Sequence, residues 1–306
     1  MTPPVTRSST NKWWDAATYA AWTLIGIGLL LALFVVYQLW FTNVLQSRHQ
    51  SALENAISHV VPQVSRDALL TSLPVGPAIP LPVQTQPRVG AWLGEIEIPT
   101  IHLRQAIVQG VGENQLSEGP GHYPSTPGLG EAGNVAIAGH RTTWGHPFRY
   151  LNELQKGDPI VIVTPRARLL YRVLSYSTVA PNDVGVLDVT SRPTLTLTTC
   201  TPPYSAASRL ILRARLVAVQ RLAPLSATQR RQIASSQATF VQPSSTSGAW
   251  PIVLFSFLFI MFVLVAIKWW RETAHKIVIA TGIVVVSAAL LFELFGAVSA
   301  QLPPGF

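Results

Sequence analysis

The sequence predicts an all-β domain outside a membrane, attached to that membrane by three transmembrane α-helices. Of the 306 residues, 48% are hydrophobic and only 12% are charged, a composition too apolar for a soluble protein of this length. The apolar residues concentrate in three segments, each close to the roughly 20 residues that a membrane-spanning helix requires. Between the first two segments, short strand-like runs alternate with turn residues, and no long amphipathic helix interrupts them.

The three apolar segments are predicted to cross the membrane in alternating directions. They cover residues 20–42, 249–267 and 277–298. The first is too long for a secretory signal and has no clear small-residue cleavage site after it, so we expect an uncleaved anchor. The loop 268–276 has an excess of basic residues, which is typical of a cytoplasmic loop. The tail 1–19 is then cytoplasmic, whereas the middle domain and the tail 299–306 lie outside.

The part of the chain outside the membrane divides by composition. Residues 43–87 are predicted to form a stalk and a proline-rich linker, 88–223 the β domain, and 224–248 a polar tether. The predicted strands of the β domain are LGEIEIP, QAIVQGV, GNVAIAGH, DPIVIVTP, RLLYRVLSYSTV, PTLTLTTC and RLILRARLVAV. Because Gly, Pro and Asn turns separate these short strands, a closed or nearly closed β-barrel is the simplest architecture.

The charge and the cysteine content limit the classes of partner. The formal net charge is +8, but an exported domain has no access to nucleic acid, so attraction to an anionic membrane or envelope surface is the better interpretation. Cys200 is the single cysteine, and the domain therefore folds without an internal disulfide. No group of residues has the spacing of a metal site, and we expect neither a metal nor another cofactor.

Three residues at predicted strand ends suggest nucleophilic chemistry. Cys200 ends the run TLTLTTC, His140 follows the strand NVAIA, and Arg209 opens RLILRARL. A cysteine nucleophile needs a base or imidazolium partner, a positive environment and a donor for the oxyanion. If the loop TPPYSAAS doubles back, Arg209 returns beside Cys200. On the pattern alone, however, a lone cysteine is more often a buried packing residue.

These residues lie in motifs that resemble those of a known family. The run TLTTC with an arginine nine positions later, preceded by GPGHYPSTPGLGEAGN and NVAIAGHRTTWGHPF, resembles the signature of sortases. Sortases are membrane-anchored cysteine transpeptidases of Gram-positive bacteria, and this form of the motifs is most similar to the class E sortases of actinobacteria. The resemblance covers roughly Leu93 to Val219. It implies an eight-stranded β-barrel with Cys200, His140 and Arg209 as catalytic residues.

The resemblance also implies a reaction. The Cys200 thiolate would attack the Thr–Gly carbonyl of an exported protein's LPxTG- or LAxTG-type sorting signal, His140 would protonate the departing amine, and Arg209 would stabilise the oxyanion. An amine from a peptidoglycan precursor or a pilin lysine would then resolve the thioester. Some sortases bind Ca²⁺ through a clustered acidic loop, but Glu113, Glu118 and Asp183 are isolated in this sequence, so we expect no cofactor.

Other residues and other functions stay open at this stage. Thr199, His122, Tyr123, Arg141 and Trp144 are candidates for substrate binding, and packing at the barrel rim explains them equally well. A non-enzymatic membrane-tethered barrel in which Cys200 only packs is one alternative function, and a hydrolytic cysteine peptidase is another. A transporter component ranks last, because the spans contain almost no polar residues. The two spans after the domain depart from the single N-terminal anchor expected of class E sortases.

Overall fold

The computed structural model describes residues 31–38, 42–57, 78–223, 226–228, 289–295 and 297–298, and the single positions 17, 24, 28 and 231. The predicted span 249–267 and the loop 268–276 lie outside these residues, as do most of the tether 224–248 and of the span 277–298. Among the residues that are described, no helix is both long enough and apolar enough to cross a membrane.

Eight strands close into a β-barrel in the order β1-β2-β3-β4-β7-β8-β6-β5. The strands are β1 (Trp92–Ile98), β2 (Leu103–Gln109), β3 (Gly121–His122), β4 (Asn134–Ala138), β5 (Pro159–Val163), β6 (Ala167–Val179), β7 (Thr194–Thr201) and β8 (Ser208–Arg221). Two α-helices accompany them, α1 (Thr42–Ile57) and α2 (Glu113–Glu118), with short 3-10 turns at Pro99–Ile101, Leu151–Glu153 and Val184–Leu187. The predicted eight-stranded barrel is confirmed.

The barrel interior is filled by every second residue of its strands, because successive side chains of a strand point to opposite faces. In β4 and β7 these residues are Val135, Ile137, Leu195 and Leu197, all fully buried in the main core. Burying an aliphatic side chain of this size contributes roughly 1.5–3 kcal/mol. The residues between them therefore face outward, and this outer face carries the candidate site.

The pairing of β4 with β7 is parallel, and it brings two chain segments to the same end of the barrel. Ala138 pairs with Thr198. His140 and Cys200 each lie two residues after this pair, on neighbouring strand ends. β7 and β8 are antiparallel, and Cys200 is directly opposite Arg209. The loop between them thus turns back, which meets the condition set in the sequence analysis, and Arg209 lies beside Cys200.

The segment before β1 differs from the predicted stalk and proline-rich linker, because parts of it pack on the barrel. Helix α1 lies against β2 and α2 of the barrel. Leu81, within the proline-rich stretch, is part of the main core, and its backbone N–H donates to Gly130 O at 2.8 Å. Residues 78–87 therefore belong to the folded domain, although their composition is that of an extended spacer.

Candidate active site

Cys200 lies in a cavity of about 110 Å³ on the outer face of the barrel, where β4 and β7 end. The cavity walls are Val111, Leu116, Tyr123, Ala138, Gly139, His140, Thr198, Thr199, Cys200 and Arg209. All three predicted catalytic residues are thus brought to one cavity by strand register. Val111 and Leu116, next to and within α2, were not anticipated from the sequence, because only the fold brings that short helix over the strand ends.

His140 is held as a neutral imidazole. The residue is 7% exposed, and its Nε2 atom has no hydrogen-bond partner among the described residues. Burial lowers the pKa of His140 to about 4, since a charged imidazolium is poorly solvated there. Its backbone is fixed on both sides: Gly139 N–H donates to Thr198 O at 3.1 Å, and Phe148 N–H donates to His140 O at 3.1 Å. The imidazole therefore has a fixed position at the cavity wall.

The thiol of Cys200 is subject to opposing effects. Burial raises the pKa of Cys200, and the positive charges of Arg209 and Arg141 act to lower it. Burial is the larger effect, so the resting residue is a thiol. Together with the neutral His140, this gives an uncharged pair at neutral pH. A proton moving from the thiol to the imidazole would create an ion pair next to two arginines.

The two arginines are positioned differently. Arg209 is partly exposed, and its Nη1 atom donates to the carbonyl oxygens of Ala206 and Ser208 at 3.1 and 3.3 Å. Arg141 is only 8% exposed. Its Nη1 atom donates to Cys200 O at 3.2 Å and to the Thr201 hydroxyl at 2.7 Å. Arg141 therefore links the segment after His140 to the backbone of the nucleophile.

Of the remaining candidates, Thr199 and Tyr123 line the cavity. The Thr199 hydroxyl donates to Gly139 O at 2.8 Å, and this bond joins the two strand ends. The Tyr123 hydroxyl shares a hydrogen bond of 3.2 Å with the Thr198 hydroxyl. Tyr123 is partly exposed and can therefore meet a bound peptide.

The structure does not bring His122 to Cys200. His122 is fully buried, with Nδ1 at 2.8 Å from Gln109 Oε1 and Nε2 at 2.9 Å from Pro127 O. It borders a second cavity of about 190 Å³, which also contacts Trp92 and Arg166 at the opposite end of the barrel. Both ring nitrogens are used internally, so the residue serves packing. Trp144 is likewise absent from the residues that line the Cys200 cavity.

A further polar group organises the outer face of the barrel where β4 begins. Asn134 is fully buried, and its Nδ2 atom donates to Val186 O at 2.9 Å and Asp188 O at 3.1 Å. The Thr196 hydroxyl donates to Asn134 Oδ1 at 2.6 Å. These bonds hold the β6–β7 loop against β4 and β7. In the sequence Asn134 is visible as a polar residue at the start of a buried strand, but the sequence does not show which loop Asn134 holds.

A metal site is not part of this arrangement: within the described part of the chain, no three His, Cys, Asp or Glu side chains cluster as metal ligands do. A cysteine and a histidine at adjacent ends of parallel strands, with two arginines beside the thiol, have the groups that nucleophilic acyl transfer requires. The fold and the site thus define a β-barrel protein of the cysteine-nucleophile class.

Comparison with known proteins identifies the family within this class. The sequence profile described as "Sortase domain" matches residues 96–217. Sortase SrtE1 of Streptomyces coelicolor is 33% identical over 210 residues, which are 63% of this chain and 55% of that protein. Sortase SrtE2 of the same organism is 29% identical over 215 residues, 65% of this chain and 81% of the other. The chain belongs to the sortase family, whose members are cysteine transpeptidases.

Two solved sortase structures are also similar to this chain in sequence. Sortase E from Streptomyces avermitilis is 32% identical over 44% of this chain and 93% of that chain, with a TM-score of 0.41. The SrtA sortase from Actinomyces oris is 30% identical over 46% of this chain and 88% of that chain, with a TM-score of 0.43. The aligned region spans just over half the length of SrtE1.

Proposed function

We propose that the protein is a membrane-anchored transpeptidase that cleaves an LPxTG- or LAxTG-type sorting signal between Thr and Gly and transfers the acyl group to an amine. The observation that carries this proposal is the convergence of Cys200, His140 and Arg209 on one cavity, through the β4–β7 and β7–β8 registers. No additional reactant is needed beyond the peptide and the amine.

The acylation step follows from the protonation states of the resting site. Cys200 Sγ gives its proton to the His140 imidazole and attacks the threonine carbonyl carbon, with Arg209 as hydrogen-bond donor to the oxyanion. The carbon–nitrogen bond breaks, the proton passes from His140 to the departing glycine amine, and a thioester on Cys200 is left. The transfer from thiol to imidazole does not change the net charge of the cavity. It therefore costs less than ionising either group alone.

The deacylation step reverses the roles. The acceptor amine attacks the thioester carbonyl, His140 in its neutral form accepts the proton of the attacking amine, and the thiolate leaves and is reprotonated. Arg141, which donates to the backbone of Cys200, supplies a second positive charge near the departing sulfur. The acceptor is a peptidoglycan precursor or a pilin lysine, and both present the primary amine that this step requires.

The location that we propose is the cell membrane of an actinobacterium, with the barrel on the extracytoplasmic side and residues 20–42, 249–267 and 277–298 as spans. The basic loop 268–276 supports this orientation. Two aromatic rings from the first predicted span, Phe34 and Tyr37, pack edge to face against Phe295 and Phe292 from the third, with centroid distances of 5.2 and 5.4 Å. Contacts of this kind are expected between neighbouring helices of one bundle.

The proposal is tested with the full chain in detergent micelles, supplied with LPxTG and LAxTG peptides and a glycine- or lysine-based acceptor amine. The wild type should form the amide product, and Cys200→Ala should form none while it unfolds at the same temperature. Ser177→Ala is the matched control, since Ser177 is exposed on β6. If folded wild type and Cys200→Ala give equally little product with both peptides, the proposal is wrong. Release of free acid in place of amide would identify a hydrolytic peptidase.

A further inference from the structure

The turn that follows His140 has an unusual backbone. Trp144, Gly145 and His146 have φ angles of 51°, 69° and 38°, three successive residues in the left-handed region. For residues with a side chain this region is unfavourable, and two of the three are not glycine. His146 N–H donates to Thr143 O at 2.9 Å and closes the turn. One local bond is little support for such a conformation, so contacts from elsewhere must contribute.

Those contacts come from helix α1, about a hundred positions earlier in the sequence. Asn43 Oδ1 accepts the backbone N–H of Gly145 at 2.8 Å, across 102 positions. The Gln46 amide packs directly on Gly145, where an added Cβ would lie 2.2 Å from Gln46 Oε1. Glycine at this position is therefore required both by the left-handed backbone and by the close approach of the helix.

Helix α1 is itself fixed to the barrel. Gln50 Oε1 accepts Ala106 N–H at 2.7 Å, and Gln50 Nε2 donates to Ala106 O at 3.3 Å and to Glu118 O at 2.7 Å. The side-chain amide thus pairs with β2 as a neighbouring strand would. Gln46 Nε2 donates to Gln105 Oε1 at 3.2 Å. Because positions 43, 46 and 50 lie on one helix face, α1 joins β2, α2 and the turn together.

The turn belongs to the segment that carries the chemistry. We call residues 140–148 the catalytic loop. It begins with His140 and Arg141, and the bond from Phe148 N–H to His140 O closes its base. Arg141 donates to Cys200 O and to Asn152 Oδ1 at 3.2 and 2.8 Å. The loop is short, so a shift at its tip also moves the Arg141 guanidinium, which donates to the backbone of Cys200.

We propose that α1 acts as a brace for the catalytic loop, with Asn43 and Gln46 as positioning residues for the transpeptidation reaction. The inference rests on the proposed function and adds to it a requirement: the helix must be docked for the site to reach its full rate. Since α1 begins at Thr42, where the first predicted span ends, the brace also connects the anchor to the site.

The test compares three variants of the full chain in detergent micelles. Asn43→Ala removes the acceptor of the Gly145 N–H, and we expect roughly tenfold lower kcat with KM nearly unchanged, about the factor that one hydrogen bond contributes. Asn43→Asp keeps an acceptor oxygen and should restore most of the rate. Ser47→Ala is the matched control on the same helix, because Ser47 is exposed and its hydroxyl donates to Val44 O, a backbone group of its own helix.

Two further measurements do not require turnover. Alkylation of Cys200 by iodoacetamide should need a higher pH in Asn43→Ala than in wild type, because a displaced Arg141 favours the thiolate less. Hydrogen exchange at the Gly145 amide should accelerate, because the amide loses its acceptor on Asn43. The brace is refuted if Asn43→Ala keeps kcat within about twofold, or if Asn43→Asp is equally impaired. If the wild type makes no product with any peptide, the proposed function fails, and these two measurements still decide whether the brace exists.

Discussion

Acidification should weaken the folded barrel in part through His140. The imidazole is 7% exposed, and its Nε2 atom has no hydrogen-bond partner among the described residues. The folded state therefore disfavours the imidazolium, whereas the unfolded chain binds the proton freely. Replacing His140 by Gln keeps a polar side chain of similar size and removes the titration. The comparison of wild type with this variant isolates the contribution of one group.

The sign and the size of the effect follow from the two pKa values. His140 has a pKa of about 4 in the folded protein, compared with 6.5 for the free side chain. Its contribution to stability is complete above pH 6.5 and is lost as the pH falls from 6.5 towards 4. Between pH 7.5 and pH 4.5 the wild type should thus lose about 2.5 kcal/mol of unfolding free energy through this residue.

The assay is urea unfolding followed by tryptophan fluorescence at pH 7.5 and pH 4.5, for the full chain in detergent. Burial raises the pKa of Glu113 and of Glu118 to about 7, and these carboxyls stabilise the fold as the pH falls. They titrate in both proteins, so their effect cancels in the difference. A pH dependence that agrees within about 0.5 kcal/mol between wild type and His140→Gln would refute the reasoning.

Three further predictions concern one residue of the site and two polar residues elsewhere in the barrel. Arg209→Ala should lower kcat/KM by about a hundredfold, because an oxyanion donor is lost; a steady-state change below about threefold would contradict this role. Asn134→Ala should cost about 2 kcal/mol in urea unfolding, since the buried Thr196 hydroxyl loses its acceptor and the carbonyls of Val186 and Asp188 lose their donor, and unaltered stability would count against it. His122→Ala should lower the melting temperature and leave kcat of the remaining folded enzyme unchanged; a selective loss of kcat would return His122 to the site.

Much of the fold could be predicted, because local patterns determine most of it. Seven of the eight strands coincide with runs in which apolar residues alternate or cluster, such as GNVAIAGH for β4 and PTLTLTTC for β7. The exception is β3, whose two residues Gly121 and His122 are too few to show any periodicity. The proline-rich stretch was predicted as a semi-rigid extended spacer outside the domain, because composition does not show that Leu81 enters the core.

The site was predictable where it lies at strand ends and unpredictable where it depends on distant packing. Cys200 and Arg209 meet through a hairpin, which the sequence between them suggests. The contact of Asn43 with Gly145 joins positions 102 residues apart, and no periodicity specifies such a pair. His122 was a candidate for substrate binding, with packing as the equal alternative, and the structure favours packing, because Gln109 and the backbone of Pro127 bond to both ring nitrogens.

The resting protonation state connects the chemistry to the proposed location. A cysteine on the extracytoplasmic side is exposed to oxidants, and the thiolate is the form that they attack. Burial raises the pKa of Cys200 and lowers that of His140, so the resting enzyme holds little thiolate even though Arg209 and Arg141 are close. The ion pair of Cys200 thiolate and His140 imidazolium leads to reaction only when a substrate carbonyl is present to accept electrons from the sulfur. Burial therefore keeps the idle thiol slow to react with oxidants, whereas a bound carbonyl of the proposed peptide substrate would still accept electrons from the sulfur.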